Sequence, residues 1–284
     1  MDLAPLRVLY RRIAPLHVQT RVASLRQRYR HVGARRGARF RQSLGRLQAL
    51  RNAYEGQCCV IIGNGPSMRD FDLKRLAGLK TFCLNRGYLL WQEQGLSPDF
   101  LVVVNQLVIE QFSAELQSVG ALKFVPWLHK DRFTPSDDGI VFFEERWDES
   151  FMTDAVAGLS SLATVTNTTL QLAWHMGFSS VILLGIDHYF AASEKGRPNE
   201  MVVQAQDDVD HFRPDYFAPG VRWHLPDLEL SERGYKLAKR TFELAGRKIV
   251  NATPGTRLDV FEKVDLETAI ASCCAAAPRE TGAG

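Results

Sequence analysis

The fold is decided by the stretch QCCVIIGNGPS, which occupies residues 57–67. Its first half is a continuous apolar run, as expected for a strand buried on both faces of a parallel sheet. Its second half is a Gly-Asn-Gly-Pro-Ser turn, whose glycines let backbone N–H groups approach an anion closely. A helix that follows such a turn adds its positive N-terminal end. The stretch predicts a phosphate-binding loop after the first strand; a simple tight turn between strand and helix is the alternative.

Downstream of this loop, apolar runs alternate with segments of helical periodicity. The predicted strands are residues 57–62, 81–84, 100–104, 123–126, 140–143, 181–185 and 248–250, and the predicted helices are 70–79, 88–94, 107–116, 167–175 and 229–245. Strands separated by helices predict an α/β fold, here a Rossmann-like, mainly parallel sheet with helices on both faces.

Length and composition set the domain organisation. The 284 residues are 45% hydrophobic and 24% charged, which is typical of a soluble globular protein. We expect an arm at residues 1–52, one domain at 53–270 and a disordered tail at 271–284. No secretory signal and no membrane-spanning run is recognisable, so the expected location is the cytoplasm. The five cysteines lack zinc-site spacing and are interpreted as structural thiols.

The arm carries the positive charge of the chain. Residues 1–51 contain thirteen arginines, no lysine and one acid, Asp2, although the whole chain has a net charge of only +3. Apolar residues recur at helical spacing at Val18, Val22, Leu25 and Tyr29, which predicts a basic amphipathic helix. Such a helix suits peripheral contact with an anionic inner-membrane surface, and a solvated or loosely packed helix is the alternative. Nucleic acid is disfavoured because no aromatic-basic pattern accompanies the arginines.

A second unusual segment lies at residues 189–224, where no regular element is predicted. Segments of this length without secondary structure are uncommon in compact domains and often form lids or binding loops. We therefore predict a lid over the carboxyl edge of the sheet.

Asparagines follow several of the predicted strands. Asn85, Asn105 and Asn251 join Asn64 at the edge where ligands bind in open α/β sheets. Four amides at one edge suit the base and ribose of a nucleotide, whereas a single one is ordinary turn chemistry. The segment Thr166-Asn167-Thr168 begins a predicted helix at the same edge; helix capping and ligand contact are both open for it.

Titratable residues at this edge supply candidates for catalysis. Asp187 follows the most apolar strand, where it can hold a substrate hydroxyl, orient a base or meet a metal. The candidate bases are His188, His211 and His224, because histidine titrates near neutral pH. A metal site is not favoured; if the protein needs Mg²⁺, the candidate ligands are the carboxylates Asp187, Asp208 and Asp210.

The loop at residues 61–67, Asn85 and the Gly-Ile-Asp-His-Tyr run at 185–189 resemble the MptE-like domain family. Further similar segments are Asp-His-Phe at 210–212, Trp-His at 223–224 and Asn-Ala-Thr at 251–253, so the resemblance spans roughly residues 55–265. The family is named for the archaeal 6-hydroxymethylpterin diphosphokinase and includes many bacterial proteins. This resemblance implies a Rossmann-like domain that binds a nucleotide-activated substrate.

The same landmarks are similar to those of Campylobacter-type sialyltransferases and of motility accessory factors that glycosylate flagellin. For the sialyltransferases, the similarity implies that Asn64, Asn85 and Asn105 contact CMP-sialic acid. The nucleotide-binding set implied by loop, strand ends and helix start is Gly63, Asn64, Gly65, Pro66, Ser67, Asn85, Asn105, Thr166, Asn167 and Thr168. It departs from the sialyltransferase pattern at Asn167 and Thr168, where that family has Ser and Gly.

The resemblance also assigns the general base and the lid. The base of the sialyltransferases is a histidine just before the long C-terminal helix, which corresponds to His224. Lid tyrosines that steady the phosphate correspond to Tyr189 and Tyr216.

Three functions follow as expectations. The first is a glycosyltransferase that uses a CMP-linked sugar and a glycan or protein acceptor in surface polysaccharide or glycoprotein synthesis, with no tightly bound cofactor. The second is pyrophosphate transfer from ATP to a pterin alcohol, with Mg²⁺ and with Lys195 and Arg197 as cations of the lid. The third is a non-catalytic nucleotide-binding module.

Overall fold

The computed structural model describes residues 37–134, 139–191 and 196–276. Its main sheet has eight strands in the order β12-β11-β8-β1-β2-β3-β4-β5, and every neighbouring pair is parallel. These strands are β1 (Cys58–Ile62), β2 (Lys80–Leu84), β3 (Phe100–Val102), β4 (Leu122–Pro126), β5 (Ile140–Phe143), β8 (Ser180–Leu184), β11 (Lys248–Asn251) and β12 (Glu262–Lys263). The predicted Rossmann-like parallel fold is confirmed.

Apolar side chains on both faces of the sheet are buried, as continuous apolar strands require. Two clusters of buried residues result, one built around Val60 and Leu101 and the other around Ile61 and Val102, which point to opposite faces. The covering helices are α1 (Ala38–Leu50), α2 (Tyr88–Glu93), α3 (Gln106–Ser118), α4 (Val165–His175), α5 (Leu228–Leu244) and α6 (Leu266–Ala276).

The described end of the arginine-rich arm forms helix α1. Phe40 and Leu47 are fully buried, and Ser43 Oγ accepts a hydrogen bond of 3.0 Å from the backbone N–H of Phe142 in edge strand β5. Helix α1 therefore covers an edge that would otherwise expose unpaired backbone groups. The amphipathic helix predicted at residues 18–29 lies outside the described residues.

Two sequence predictions of secondary structure were wrong. At residues 70–79, where a helix was expected, there is one 3₁₀ turn, Leu73–Leu76, and a second, Pro66–Met68, precedes it. Asp70 and Gly78 have positive φ angles of 58° and 85°, which are incompatible with a continuous helix. The segment 189–224 is not wholly irregular: β9 (Met201–Val203) and β10 (Arg222–His224) form an antiparallel hairpin. Two further short strands, β6 (Glu145–Arg146) and β7 (Leu159–Ser160), pair with each other.

The C-terminal segment differs from expectation as well. Helix α6 extends to Ala276, so residues 271–276 are helical; the rest of the predicted tail lies outside the described residues. Cys58 and Cys273 are bonded to each other as a disulfide, which corrects the interpretation of all five cysteines as structural thiols. Within residues 37–134, 139–191 and 196–276, no helix has the length and apolar character needed to span a membrane.

Candidate active site

A cleft of about 1060 Å³ lies along the carboxyl edge of the sheet. Its walls come from the residues that follow strands β1, β2, β3, β4, β5 and β8, together with the start of helix α4 and the segment 189–224. This is the edge at which open parallel sheets bind ligands, because the loops there diverge and leave a crevice. The segment predicted to be a lid therefore borders the cleft.

The glycine loop at residues 63–67 packs tightly against the loop that follows β8. Gly63 and Gly65 donate backbone hydrogen bonds of 2.7 and 3.1 Å to the carbonyls of Leu184 and Gly185. A Cβ at Gly63 would overlap the backbone of Gly185, and one at Gly65 would overlap the carboxylate of Asp187. The loop requires glycine at both positions because two chain segments pass so close to each other.

Asp187 accepts hydrogen bonds from this loop. Its carboxylate accepts hydrogen bonds from Ser67 N at 3.1 Å and from Ser67 Oγ at 2.7 Å. Burial raises the pKa of Asp187, while the hydrogen bonds from Ser67 and the nearby His211 act in the opposite direction. The Asp187 carboxyl already accepts the donors of the first turn after Pro66, so in this conformation it fills the place predicted for a ligand phosphate at Ser67.

Asn64 connects the loop to the lid. Its side-chain Nδ2 donates to the Leu84 carbonyl at 3.0 Å and to the Tyr216 hydroxyl at 2.9 Å. Its backbone carbonyl accepts a hydrogen bond of 2.9 Å from Phe212 N. Both amide hydrogens are thus used within the protein, and Oδ1 is buried without a partner among the described residues. Asn64 and Tyr216, predicted to contact the nucleotide, lie on the cleft and hold the lid in place.

Asn85 and Asn105 line the cleft side by side at the ends of β2 and β3. Asn85 Oδ1 accepts from Val104 N at 3.4 Å, and Asn105 Oδ1 caps helix α3 by accepting from Leu107 N and Val108 N. In both side chains Oδ1 accepts a hydrogen bond, while Nδ2 makes none within the part of the chain that the structure describes. Two amide donors are therefore presented to the cleft.

The three residues at the start of helix α4 that were predicted to bind the nucleotide have different surroundings. Thr166 lines the cleft, whereas Asn167 and Thr168 are 1% exposed and bond into the core. Asn167 Nδ2 donates to the carbonyls of Leu162 and Ser231, and Thr168 Oγ1 donates to the Ser160 carbonyl. Asn251, at the end of β11, caps its own turn through Thr253 N. The edge thus presents fewer amides than the spacing suggested.

A hydrogen-bonded pair, His211 and Asp208, lies in the lid next to the loop. His211 Nδ1 donates to Asp208 Oδ2 at 2.8 Å, and the imidazole stacks on Tyr216 with ring centroids 4.0 Å apart. Asp208 also accepts from Asp210 N and Phe217 N, so this buried carboxylate accepts three hydrogen bonds in all. His211 borders the cleft, whereas Asp208 does not. The hydrogen bond from Nδ1 to the buried Asp208 orients the imidazole, and Nε2 is left as an acceptor.

The other histidines of the edge differ in their surroundings. Burial lowers the pKa of His188, whose Nε2 lies 3.3 Å from Glu232 Oε1. His224 is half-buried and borders the cleft, and no hydrogen bond of its imidazole occurs among the described residues. Tyr189 also borders the cleft, with the Arg257 guanidinium 3.7 Å from its ring centroid.

The predicted magnesium ligands do not come together. Asp187 is bonded to Ser67, Asp208 is buried behind His211, and Asp210 Oδ1 accepts from Ala191 N at 2.6 Å. In the described part of the chain, no group of three or more His, Cys, Asp or Glu side chains is arranged to hold a metal ion.

Sequence reasoning missed the far end of the cleft. His129, Glu145 and Trp147 follow strands β4 and β5 and line it, together with Arg132. Burial raises the pKa of the Glu145 carboxyl to about 7, against an opposing hydrogen bond from Trp147, and burial lowers the pKa of His129. Both strands were predicted, so the rule applied to Asn85 and Asn105 would also have pointed to these residues.

Backbone strain is also concentrated at this edge. Seven described residues other than glycine have positive φ, and four of them border the cleft: Asn85, Ala163, His188 and Asn199. For alanine and histidine this conformation is costly, and it persists only where surrounding structure enforces it, which is frequent at functional sites.

Fold and cleft together define a Rossmann-like α/β domain with a cleft at its carboxyl edge. No family model matches the sequence, and no curated protein matches it. Among solved structures, the chain is similar to the MAf glycosyltransferase from Magnetospirillum magneticum AMB-1, with 15% sequence identity and a TM-score of 0.47. The match covers 84% of this chain and 42% of that chain, so this chain spans about two fifths of the other's length. The resemblance to the MptE-like family stays a prediction.

Proposed function

We propose that this chain is a glycosyltransferase that takes its sugar from a donor with a single phosphate, a CMP-sugar, and transfers it to an acceptor hydroxyl. The solved structure named above is of a glycosyltransferase, but the proposal rests on the chemistry of the cleft. The observation that carries it is the pair Asp208–His211, a buried carboxylate and an oriented imidazole beside the two free amides of Asn85 and Asn105.

His211 is the proposed general base. Because the Asp208 carboxylate acts as an acceptor towards two backbone N–H groups as well, the imidazole donates to it from Nδ1, and Nε2 is the atom that accepts a proton. In the transfer step the acceptor O–H bond breaks and its proton passes to Nε2. The acceptor oxygen bonds to the anomeric carbon as the bond from that carbon to the phosphate oxygen breaks, and the nucleoside monophosphate leaves. His224 is the alternative base, proposed from the sequence, and its imidazole has no partner in the described cleft that would orient it.

The charge of the cleft supports a donor with little negative charge. Among the described residues that line it, Arg132 is the single Lys or Arg, whereas five carboxylates are present: Glu110, Asp131, Glu145, Asp187 and Asp210. A nucleoside triphosphate would meet repulsion here, since phosphoryl transfer sites use metal ions and cationic clamps to neutralise such charge. Pyrophosphate transfer from ATP therefore has less support: Arg197 is exposed and outside the lining, and Lys195 lies outside the described residues.

Thermal unfolding in the presence of CMP, UDP, GDP and ATP, each with and without Mg²⁺, tests the proposal. We expect CMP to raise the melting temperature without Mg²⁺. Stabilisation by ATP with Mg²⁺ alone would support pyrophosphate transfer instead, and no response to any nucleotide or CMP-sugar would refute nucleotide binding.

A matched pair of variants locates the binding. Asn85→Gly keeps the positive φ of 48° and removes the amide, so CMP stabilisation should fall while the fold is retained. Asn52→Gly makes the same change at φ 54° before strand β1, outside the cleft, and should leave CMP stabilisation unchanged.

A further inference from the structure

We propose that the far end of the cleft, formed by His129, Arg132, Glu145 and Trp147, binds a pyranose ring of the acceptor, so that the acceptor is a glycan. The role of this ring as acceptor rests on the proposed glycosyltransferase function. The site itself rests on the geometry of the four residues, which we call the tryptophan end.

Trp147 is the central observation. Its side chain is 58% exposed, and of the large apolar residues that the described structure leaves exposed, it is the one that lines the cleft. Trp147 interacts with the half-buried Glu145 carboxyl and acts to lower its pKa, against the larger effect of burial, which raises it. The indole is therefore apolar surface in contact with water within the cleft, and covering it with a ligand favours binding.

The polar groups around this ring fit a sugar. A pyranose has a face of C–H groups that packs on an aromatic ring and a rim of hydroxyls that need donors and acceptors. The Glu145 carboxyl, the His129 imidazole and the Arg132 guanidinium supply both kinds of partner within one wall of the cleft. Binding sites for small polar ligands combine an apolar surface with a few such groups in this way.

The position of the tryptophan end separates it from the proposed nucleotide site. Strand β5 is four places from β1 in the sheet, which at about 4.8 Å per strand places the two ends roughly 19 Å apart. A ring on Trp147 is thus an inner ring of an oligosaccharide whose outer hydroxyl extends toward His211. An acceptor carried on a lipid diphosphate fits this end less well, since Arg132 is its only cation among the described lining residues.

Saturation-transfer NMR with lactose as the probe, on the full chain, tests the inference. Lactose should bind to the wild type, and Trp147→Ala should weaken its affinity by about tenfold, a typical loss for an aromatic contact. Trp147→Phe should recover part of it. Leu244→Ala removes a side chain that is 79% exposed and outside the cleft, and should leave lactose binding unchanged.

Parallel measurements separate this inference from the proposed function. CMP stabilisation should be the same in Trp147→Ala and the wild type; its loss would identify the ring as a nucleobase platform and overturn the inference. Equal lactose binding by Trp147→Ala and wild type would also overturn it, as would Trp147-dependent binding of a Ser/Thr peptide without lactose binding. If no nucleotide binds but lactose still depends on Trp147, the glycosyltransferase proposal fails and the sugar site stands.

Discussion

The two ends of the cleft are built from different chemistry. The loop end, comprising Asn64, Gly65, Asn85, Asp187 and His211, consists of groups that already make hydrogen bonds to other parts of the protein. The tryptophan end consists of an exposed aromatic ring and titratable groups whose pKa values are shifted by burial. The side chains of the loop end are held in one geometry by these hydrogen bonds. The tryptophan end offers an exposed apolar surface and groups whose protonation can change. This difference suits a donor that must be oriented for reaction and an acceptor that must be held and released.

The largest expected effect is at the loop end. His211→Asn keeps a donor for Asp208 and removes the base, so turnover with a CMP-sugar should fall by about 10²- to 10⁴-fold. CMP stabilisation should persist, which would show that binding is intact. His224→Ala is the comparison: a larger loss of turnover there than in His211→Asn would transfer the role of base to His224.

The second prediction concerns protonation at the tryptophan end. The folded protein keeps the Glu145 proton up to about pH 7, whereas the unfolded chain releases it near pH 4.5, so stability should fall as the pH rises between these values. Glu145→Gln should remove that loss: it should match the wild type below this window and exceed it above pH 7 by on the order of 3 kcal/mol. Urea unfolding from pH 4 to pH 8 measures this.

The control for that experiment is Glu93→Gln, at a glutamate whose side chain is 63% exposed and outside the cleft. It should show the same pH dependence as the wild type. A parallel pH profile for Glu145→Gln and the wild type would mean that the pKa of Glu145 is the same in the folded and unfolded states, and the two ends would then differ less than the structure implies.

The smallest expected effect tests the close packing of the loop end. Gly65→Ala places a methyl group against the Asp187 carboxylate, and the resulting shift of the loop should cost about 1–3 kcal/mol in the free energy of unfolding. Gly45→Ala, in an exposed position of helix α1 with no atom near the added methyl, should instead stabilise the protein by roughly 0.5–1 kcal/mol. Unchanged stability in Gly65→Ala would show that Asp187 moves freely.

The sequence alone determined the parallel sheet. A continuous apolar run such as residues 60–62 is removed from water only when the strand is covered on both faces. Covering both faces of a sheet requires helices between the strands. It also determined that Asn85, Asn105 and Asp187 share one edge, because the carboxyl ends of parallel strands meet there.

What each side chain does at that edge was decided by the tertiary structure. Asn64 is committed to Tyr216, 152 residues away, and Asp187 to Ser67, 120 residues away, so local sequence could not reveal that their hydrogen bonds are spent within the protein. The shifted pKa of Glu145 likewise depends on how many atoms of other segments exclude water from its carboxyl. The hydrophobic pattern determines where a strand ends, because that pattern is local in the sequence. The hydrogen-bond partners and the desolvation of a side chain are determined by contacts with residues distant in the chain.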